Sequence, residues 1–232
     1  MPAQPFELPR RAMAIFAHPD DVDFGCSATV ALFTALGVHV TYCLLTSGNK
    51  GTHDPKMPPQ KLARIREKEQ RAAGAAAGAQ EFVFLRHGDG ELEVSMKLRA
   101  EVCLAIRRNK PDLVFTQDPW RPYQFHPDHR VAGWSAMDGV IAARDHLFFP
   151  EQLRGGLVHH RVPRVLLFGT AEPNIWFDVS STLDRKIAAL TSHTSQIPQP
   201  ARIERRMRDW AAASGRAWGL EAAEGFRILE LG

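Results

Sequence analysis

The sequence MAIFAHPDD at residues 13–21 predicts the central element of the fold. Its first five residues are apolar, a length typical of a short buried strand. The polar residues His18, Asp20 and Asp21 follow directly, so titratable side chains stand where the predicted strand ends. In a parallel α/β sheet, ligands bind at the carboxyl ends of the strands. This stretch therefore predicts both a central strand and one part of a site.

Strand and helix patterns alternate beyond this stretch. Residues 24–36 predict an amphipathic helix that ends at Gly37, and residues 38–46 predict a strand rich in β-branched residues. The other predicted elements are helices at 60–79, 97–109, 127–144, 181–190 and 201–213, and strands at 81–85, 113–116, 165–168 and 176–179. The alternation predicts an α/β fold with a mostly parallel sheet and helices on both faces.

Composition excludes several classes of protein. The 232 residues are 44% hydrophobic and 24% charged, which is ordinary for a globular chain and excludes a disordered chain, a collagen-like fibre and a disulfide-stapled mini-protein. We expect one domain over residues 1–232. No apolar run approaches the roughly 18 residues that cross a bilayer, so we expect no membrane insertion. The net charge of +3 is too small to indicate nucleic acid as a partner.

The number and spacing of the cysteines indicate the cellular compartment in which the protein is expected. Cys26, Cys43 and Cys103 are far apart, and residues 1–11 lack the apolar core of a signal peptide. An odd number of cysteines without an export signal favours reduced thiols and a cytoplasmic location.

Two motifs of similar composition predict a metal site. His18 and Asp21 are three residues apart, as are His126 and His129 in the stretch HPDH, residues 126–129. Residues three apart share one face of a helical turn. One imidazole and one carboxylate from the first motif, with one imidazole from the second, make three ligands and leave a fourth position open for water. That arrangement is typical of a catalytic zinc site.

Each motif also has a structural explanation. HPDD could cap a helix with proline in its first turn, and the two histidines of HPDH could share an exposed helix face. A nucleotide-binding module is disfavoured because no GxGxxG follows the first strand. A basic nucleic-acid surface at residues 202–208 is disfavoured because Glu204 interrupts the run of arginines.

The two motifs together, with SHTSQ at residues 192–196, resemble the LmbE-like (PIG-L) deacetylase family over residues 12–196. That family includes N-acetylglucosaminyl-phosphatidylinositol deacetylases and the deacetylases of GlcNAc-inositol and GlcNAc-malate. The resemblance implies a Rossmann-like fold and a metal-dependent hydrolase that removes an N-acetyl group from an amino sugar or GlcNAc conjugate, giving acetate and a free amine. A zinc amidase for a non-sugar acylated small molecule is the alternative.

By motif position, His18, Asp21 and His129 resemble the metal ligands of the family. Zn²⁺ is the expected ion, although two histidines and an aspartate suit Fe²⁺ as well. Family members often form trimers or hexamers, which makes a homo-oligomer the expected assembly.

The remaining motif residues resemble catalytic groups. Asp20 resembles the general base. His126 resembles the group that, as an imidazolium, stabilises the oxyanion, and we expect the Asp128 carboxylate to hold His126 in that state.

The residues expected to contact the substrate match the family less completely than the metal ligands do. Arg66 resembles an arginine that holds the sugar, and Asp89 a second sugar contact. Gln124 stands where one branch of the family has a tyrosine, with Tyr123 one step earlier. His53, His87 and His193 are further candidates for the substrate side.

Overall fold

The computed structural model describes residues 6–231, and within them the strands form one seven-stranded sheet. The strands are β1 Arg11–Phe16, β2 His39–Thr46, β3 Glu81–His87, β4 Leu113–Gln117, β5 Arg164–Phe168, β6 Ile175–Asp178 and β7 Ala223–Glu230. The α-helices are α1 Asp21–Gly25, α2 Ser27–Ala35, α3 Pro59–Ala77, α4 Met96–Asn109, α5 Pro127–Arg144, α6 Leu183–Thr191 and α7 Pro200–Gly215. Two short 3₁₀ helices lie at Pro150–Gly155 and Arg216–Trp218. None of these helices is both long and apolar enough to span a bilayer.

The predicted α/β fold with a mostly parallel sheet is confirmed. The strand order is β3-β2-β1-β4-β5-β7-β6, and the first five strands of this order are parallel. β7 is antiparallel to both β5 and β6. The chain leaves β1 toward β2 and later returns to add β4 on the other side of β1. The carboxyl ends of β1 and β4 therefore flank the crevice where such sheets bind ligands.

Helices cover both faces of the sheet, and successive side chains of β1 point alternately into the core on one face and the core on the other. Ala14 and Phe16 pack into the core shared with α2, α6 and α7, whereas Met13 and Ile15 pack into the core shared with α4 and α5. All four side chains are fully buried. Burial on both faces explains why the strand is continuously apolar in sequence.

The prediction of one amphipathic helix at residues 24–36 is wrong in two respects. The backbone breaks at Cys26 and divides the segment into α1 and α2, and Gly25 lies so close to Phe168 that a Cβ atom would be 2.4 Å from its ring. In addition, residues 27–33 are all buried, because α2 lies between the sheet and α6. Gly37 does end the segment, with φ of 88°.

Candidate metal centre

The ends of three strands are tied together by hydrogen bonds at the carboxyl edge of the sheet. The Ala17 N–H donates to Gln117 Oε1 at 3.1 Å, and the Thr46 N–H donates to the Ala17 carbonyl at 2.8 Å. These bonds hold residues 18–21 beside the loop that follows β4. The His18 and His126 rings, which are 108 positions apart in sequence, lie with their centroids 4.5 Å apart.

A tight turn presents the two aspartates of the first motif in different directions. The His18 N–H donates to Asp21 Oδ2 at 2.7 Å, which closes the turn. Asp20 has a left-handed φ of 92°, and its N–H donates to Gln70 Oε1 at 2.7 Å. Left-handed backbone is costly for a residue with a side chain, so surrounding contacts must maintain it.

The structure brings the three predicted metal ligands together around the Asp21 carboxylate. Asp21 Oδ2 lies 3.2 Å from His18 Nδ1, and Asp21 Oδ1 lies 3.0 Å from His129 Nε2. His18 is buried and the other two are partly exposed. One carboxylate that reaches two imidazoles on different elements is suited to a shared cation.

Two groups of side chains that could hold a metal ion meet at His18 within residues 6–231, and neither group includes Asp21. One ring nitrogen from each of His18, His126 and His129 lies within 4.8 Å of the others. The same limit holds for His18, Asp89 and Asp128, with His18 Nε2 at 3.1 Å from Asp89 Oδ1 and 2.9 Å from Asp128 Oδ2. His18 is common to every grouping, which makes it the central residue of the site.

The electrostatics of the site suit a divalent cation. Burial lowers the pKa of His18, but Asp128, Asp21 and Asp89 outweigh it and raise the pKa to about 11. Burial alone would raise the pKa of Asp21, but His129 and His18 hold it well below its usual range. The carboxylates thus require positive charge at this position, and a metal ion could replace the proton on His18.

The expectation that the Asp128 carboxylate holds His126 is wrong. Asp128 Oδ2 accepts the Gly90 N–H at 2.7 Å and contacts His18, and Asp128 Oδ1 accepts the Leu92 N–H at 3.2 Å. His126 is held by Asp128 through the backbone instead, because the Asp128 N–H donates to His126 Nδ1 at 3.3 Å at the start of α5. The Asp128 carboxylate points inward because the Gly90 N–H, the Leu92 N–H and the His18 ring all contact it there.

His126 is disposed to be neutral rather than an imidazolium. Burial and the charges of His18 and His129 lower its pKa, against the opposing Asp128 and Asp89 carboxylates. This direction of the pKa shift opposes the expectation that His126 acts as an imidazolium. A neutral imidazole can still donate one hydrogen bond.

Asp20 has the properties of a base that works near neutrality. Burial and the charge of Asp21 raise its pKa to about 7, while the Arg66 guanidinium opposes the shift. Arg66 Nη2 donates to Asp20 Oδ2 at 3.2 Å and to the Pro19 carbonyl at 2.5 Å.

Arg66 differs from its expected role as a sugar contact. Its side chain is 5% exposed, and Nη1 donates to the Gly48 carbonyl at 3.0 Å. A Cβ atom at Gly51 would lie 2.3 Å from Nη1, so a side chain at this position would displace the guanidinium. Arg66 thus binds the protein around Asp20, and only its buried Nε lacks a partner among residues 6–231.

The other two expected substrate contacts lie on different sides of the site. Asp89 contacts His18, and its Oδ1 is 4.0 Å from His126 Nε2. Gln124 lines a cavity together with Asp21 and His129. His53 is exposed, and His87 Nε2 lies 2.6 Å from Glu101.

A buried network behind Asp20 was not predicted from the sequence. Gln70 Nε2 donates to Asp23 Oδ2 at 2.8 Å, and His193 Nε2 lies 2.8 Å from the same oxygen. Asp23 and His193 are fully buried, so His193 does not reach substrate directly. The acidic residue two positions after Asp21 in the sequence was the available signal, although its partners are distant in the chain.

A second buried carboxylate fixes the SHTSQ segment. Glu69 accepts hydrogen bonds from Thr194 Oγ1 at 2.8 Å, the Ser195 N–H at 2.7 Å and Ser195 Oγ at 2.6 Å. Gln196 then donates to the Gly51 carbonyl at 3.0 Å. This motif therefore supports the loop that packs on Arg66.

Comparison with known proteins identifies the family. The sequence profile described as PIG-L, GlcNAc-PI de-N-acetylase, matches residues 13–139, more than half of the chain. Diacetylchitobiose deacetylase of Thermococcus kodakarensis is 33% identical over 228 residues, which are 97% of this chain and 85% of the relative. A probable N-acetyl-alpha-D-glucosaminyl L-malate deacetylase 2 of Bacillus anthracis is 26% identical, with 81% of each chain covered.

A solved structure shows the same architecture. N,N'-diacetylchitobiose deacetylase from Pyrococcus horikoshii, complexed with its inhibitor MPG, superimposes with a TM-score of 0.91 at 32% identity. The match covers 97% of this chain and 88% of that one. The likeness therefore extends over the whole sheet and its helices, well beyond the two motifs.

Proposed function

This chain belongs to the PIG-L family of GlcNAc-PI de-N-acetylases, and from that membership we propose that it is a metal-dependent hydrolase that removes the acetyl group from an N-acetylated amino sugar. The products are acetate and the free amino sugar. The observation that carries the proposal is the Asp21 carboxylate, which contacts both His18 and His129 while Asp20 lies beside it. We further propose that residues 1–232 form one such domain and that the chain acts in the cytoplasm as a homo-oligomer.

His18, Asp21 and His129 would hold the cation, for which we propose Zn²⁺. When bound, such an ion polarises the acetamide carbonyl and lowers the pKa of water from about 15.7 toward roughly 7. Asp20, whose pKa is about 7, accepts the proton of the attacking water on its carboxylate. Arg66 holds that carboxylate in place through its 3.2 Å hydrogen bond.

We propose that His126 donates a hydrogen bond to the reacting carbonyl, because its ring lies 4.5 Å, centroid to centroid, from that of His18. Its Nδ1 is occupied by the Asp128 N–H, so the proton of a neutral ring resides on Nε2. We propose that Nε2–H stabilises the developing oxyanion, a contribution typically worth about 3 kcal/mol. Asp128 fixes the ring through its backbone and orients His18 through its carboxylate.

Acetate release tests the proposal. Purified protein loaded with Zn²⁺ is incubated with N-acetylglucosamine, N,N'-diacetylchitobiose and an N-acetylated amino acid, with and without a chelator. The proposal expects acetate from the sugars and loss of activity with the chelator. Acetate only from the amino acid would favour an amidase for non-sugar substrates, and chelator-resistant release would contradict metal dependence.

A further inference from the structure

A cavity of about 310 Å³ opens beside the candidate metal ligands, and Asp21 and His129 form part of its wall. Its volume lies at the lower end of the roughly 300–1,000 Å³ typical of pockets for small ligands. Another part of the wall is formed by Phe24 from α1 with Arg206 and Trp210 from α7. We call it the α7 cavity. Helix α7 lies outside the 13–139 match to the family profile, so that match assigns no role to Arg206 or Trp210.

In the part of the wall formed by Phe24, Arg206 and Trp210, the Arg206 guanidinium stacks on the exposed ring of Trp210. The Arg206 Cζ atom lies 4.7 Å from the centroid of the Trp210 ring and 5.7 Å from that of Phe24. Stacking restrains the indole, yet 57% of Trp210 remains exposed. A large, restrained aromatic surface in a concave site is characteristic of ligand binding.

Hydrogen-bonding groups also line the α7 cavity. Arg121 and Gln124 line the cavity from the loop after β4, and Gln117 and Asp118 line it at the strand end. A sugar ring has an apolar C–H face that suits an indole and polar edges that suit amide, guanidinium and carboxylate groups. The cavity wall carries both positively and negatively charged side chains around an aromatic face. This mixture favours a neutral sugar over an anionic group.

We propose that the α7 cavity binds the second, non-reacting ring of an N-acetylated disaccharide, with Trp210 as the platform on which that ring stacks. The proposal rests on the proposed deacetylase function, because the reacting acetamide must lie at His18, Asp21 and His129. It assigns substrate specificity to α7, and it predicts that a disaccharide is a better substrate than a monosaccharide.

The test compares two substrates in three variants. Trp210→Ala removes the platform, Trp210→Phe keeps an aromatic face, and Trp218→Ala removes an exposed indole that contacts Trp176 instead. We expect Trp210→Ala to lower kcat/KM for N,N'-diacetylchitobiose about tenfold, mainly through KM, and to change it less than about twofold for N-acetylglucosamine. Trp210→Phe should restore most of the loss, and Trp218→Ala should behave as the unchanged protein.

A binding measurement separates the subsite from catalysis. Calorimetric titration with chitobiose, the fully deacetylated disaccharide, should give similar affinities for the unchanged protein and Trp218→Ala and about tenfold weaker binding for Trp210→Ala. Equal effects of Trp210→Ala on both substrates, no effect on either, or unaltered chitobiose binding would overturn the subsite. If the unchanged protein releases acetate from neither sugar, the proposed function fails, and chitobiose binding alone then decides the subsite.

Discussion

Gln70 Oε1 accepts the N–H of Asp20 at 2.7 Å, and Asp20 has a left-handed φ of 92°. A residue with a side chain held in this region costs on the order of 1–3 kcal/mol. Gln70 is itself fixed by its 2.8 Å hydrogen bond to Asp23, the carboxylate that His193 contacts. Helix α3 and the segment after α6 therefore determine where the Asp20 carboxylate points.

Replacement of Gln70 by methionine should affect turnover more than folding. The variant keeps the side-chain length but leaves the Asp20 N–H without an acceptor, and we expect about a tenfold fall in kcat, since small misplacements of reacting groups are costly. Gln80→Met is the matched control, because Gln80 Oε1 accepts the Val40 N–H at the same 2.7 Å near the other end of the sheet. Both should lose about 1–3 kcal/mol of stability, measured by urea unfolding. Equal kcat values for the two variants would refute the positioning role.

Replacement of Asp20 by asparagine should abolish proton transfer without removing the ion. We expect acetate release to fall by roughly 10²–10⁴-fold, the usual contribution of a general base. Asp138→Asn serves as control, because Asp138 pairs with Arg99 at a distance from the site. Full activity of a metal-loaded Asp20→Asn variant would show that another group is the base.

The His193–Asp23 pair should make stability depend on pH. Burial lowers the pKa of His193, but Asp23 outweighs it and raises the pKa in the folded protein. A raised folded pKa stabilises the protein fully below the unfolded value of about 6.5, and this contribution is lost as pH rises through the folded pKa.

His193→Asn should therefore cost about 3 kcal/mol at pH 6, because it breaks a buried charge pair, and less at pH 9. Urea unfolding at the two pH values measures the difference. His160→Asn is the control for the substitution, since His160 contacts the Pro111 carbonyl rather than a carboxylate. A penalty for His193→Asn that is the same at both pH values would argue against the ion pair.

The parallel part of the sheet was predictable because each strand carries its own signal. MAIFA at residues 13–17 is buried on both faces of the sheet. A continuous apolar run of this length indicates such a strand from the sequence alone. β7 carries no such signal, because Gly225 and Arg227 interrupt the apolar pattern of Ala223–Glu230. Its position depends on antiparallel pairing with β5 and β6, which are more than 40 residues earlier in the chain.

The site was predictable where residues close in sequence act together. His18 with Asp21, and His126 with His129, are neighbours on one turn, and the strand order brings the two turns together. The direction of the Asp128 carboxylate was not predictable, because its partners His18 and Gly90 are 110 and 38 residues away. The burial of Arg66 likewise depends on the close approach of Gly48 and Gly51, which the sequence alone does not show.

The number of ions bound per chain shows whether His18 and His129 hold a metal. Protein equilibrated with Zn²⁺ and freed of excess ion is analysed by elemental mass spectrometry, with His87→Ala as a control histidine that pairs with Glu101 instead. We expect one ion per chain in the unchanged protein, Asp20→Asn and His87→Ala, and almost none in His18→Ala and His129→Ala. Full occupancy in both of the last two variants would contradict this expectation.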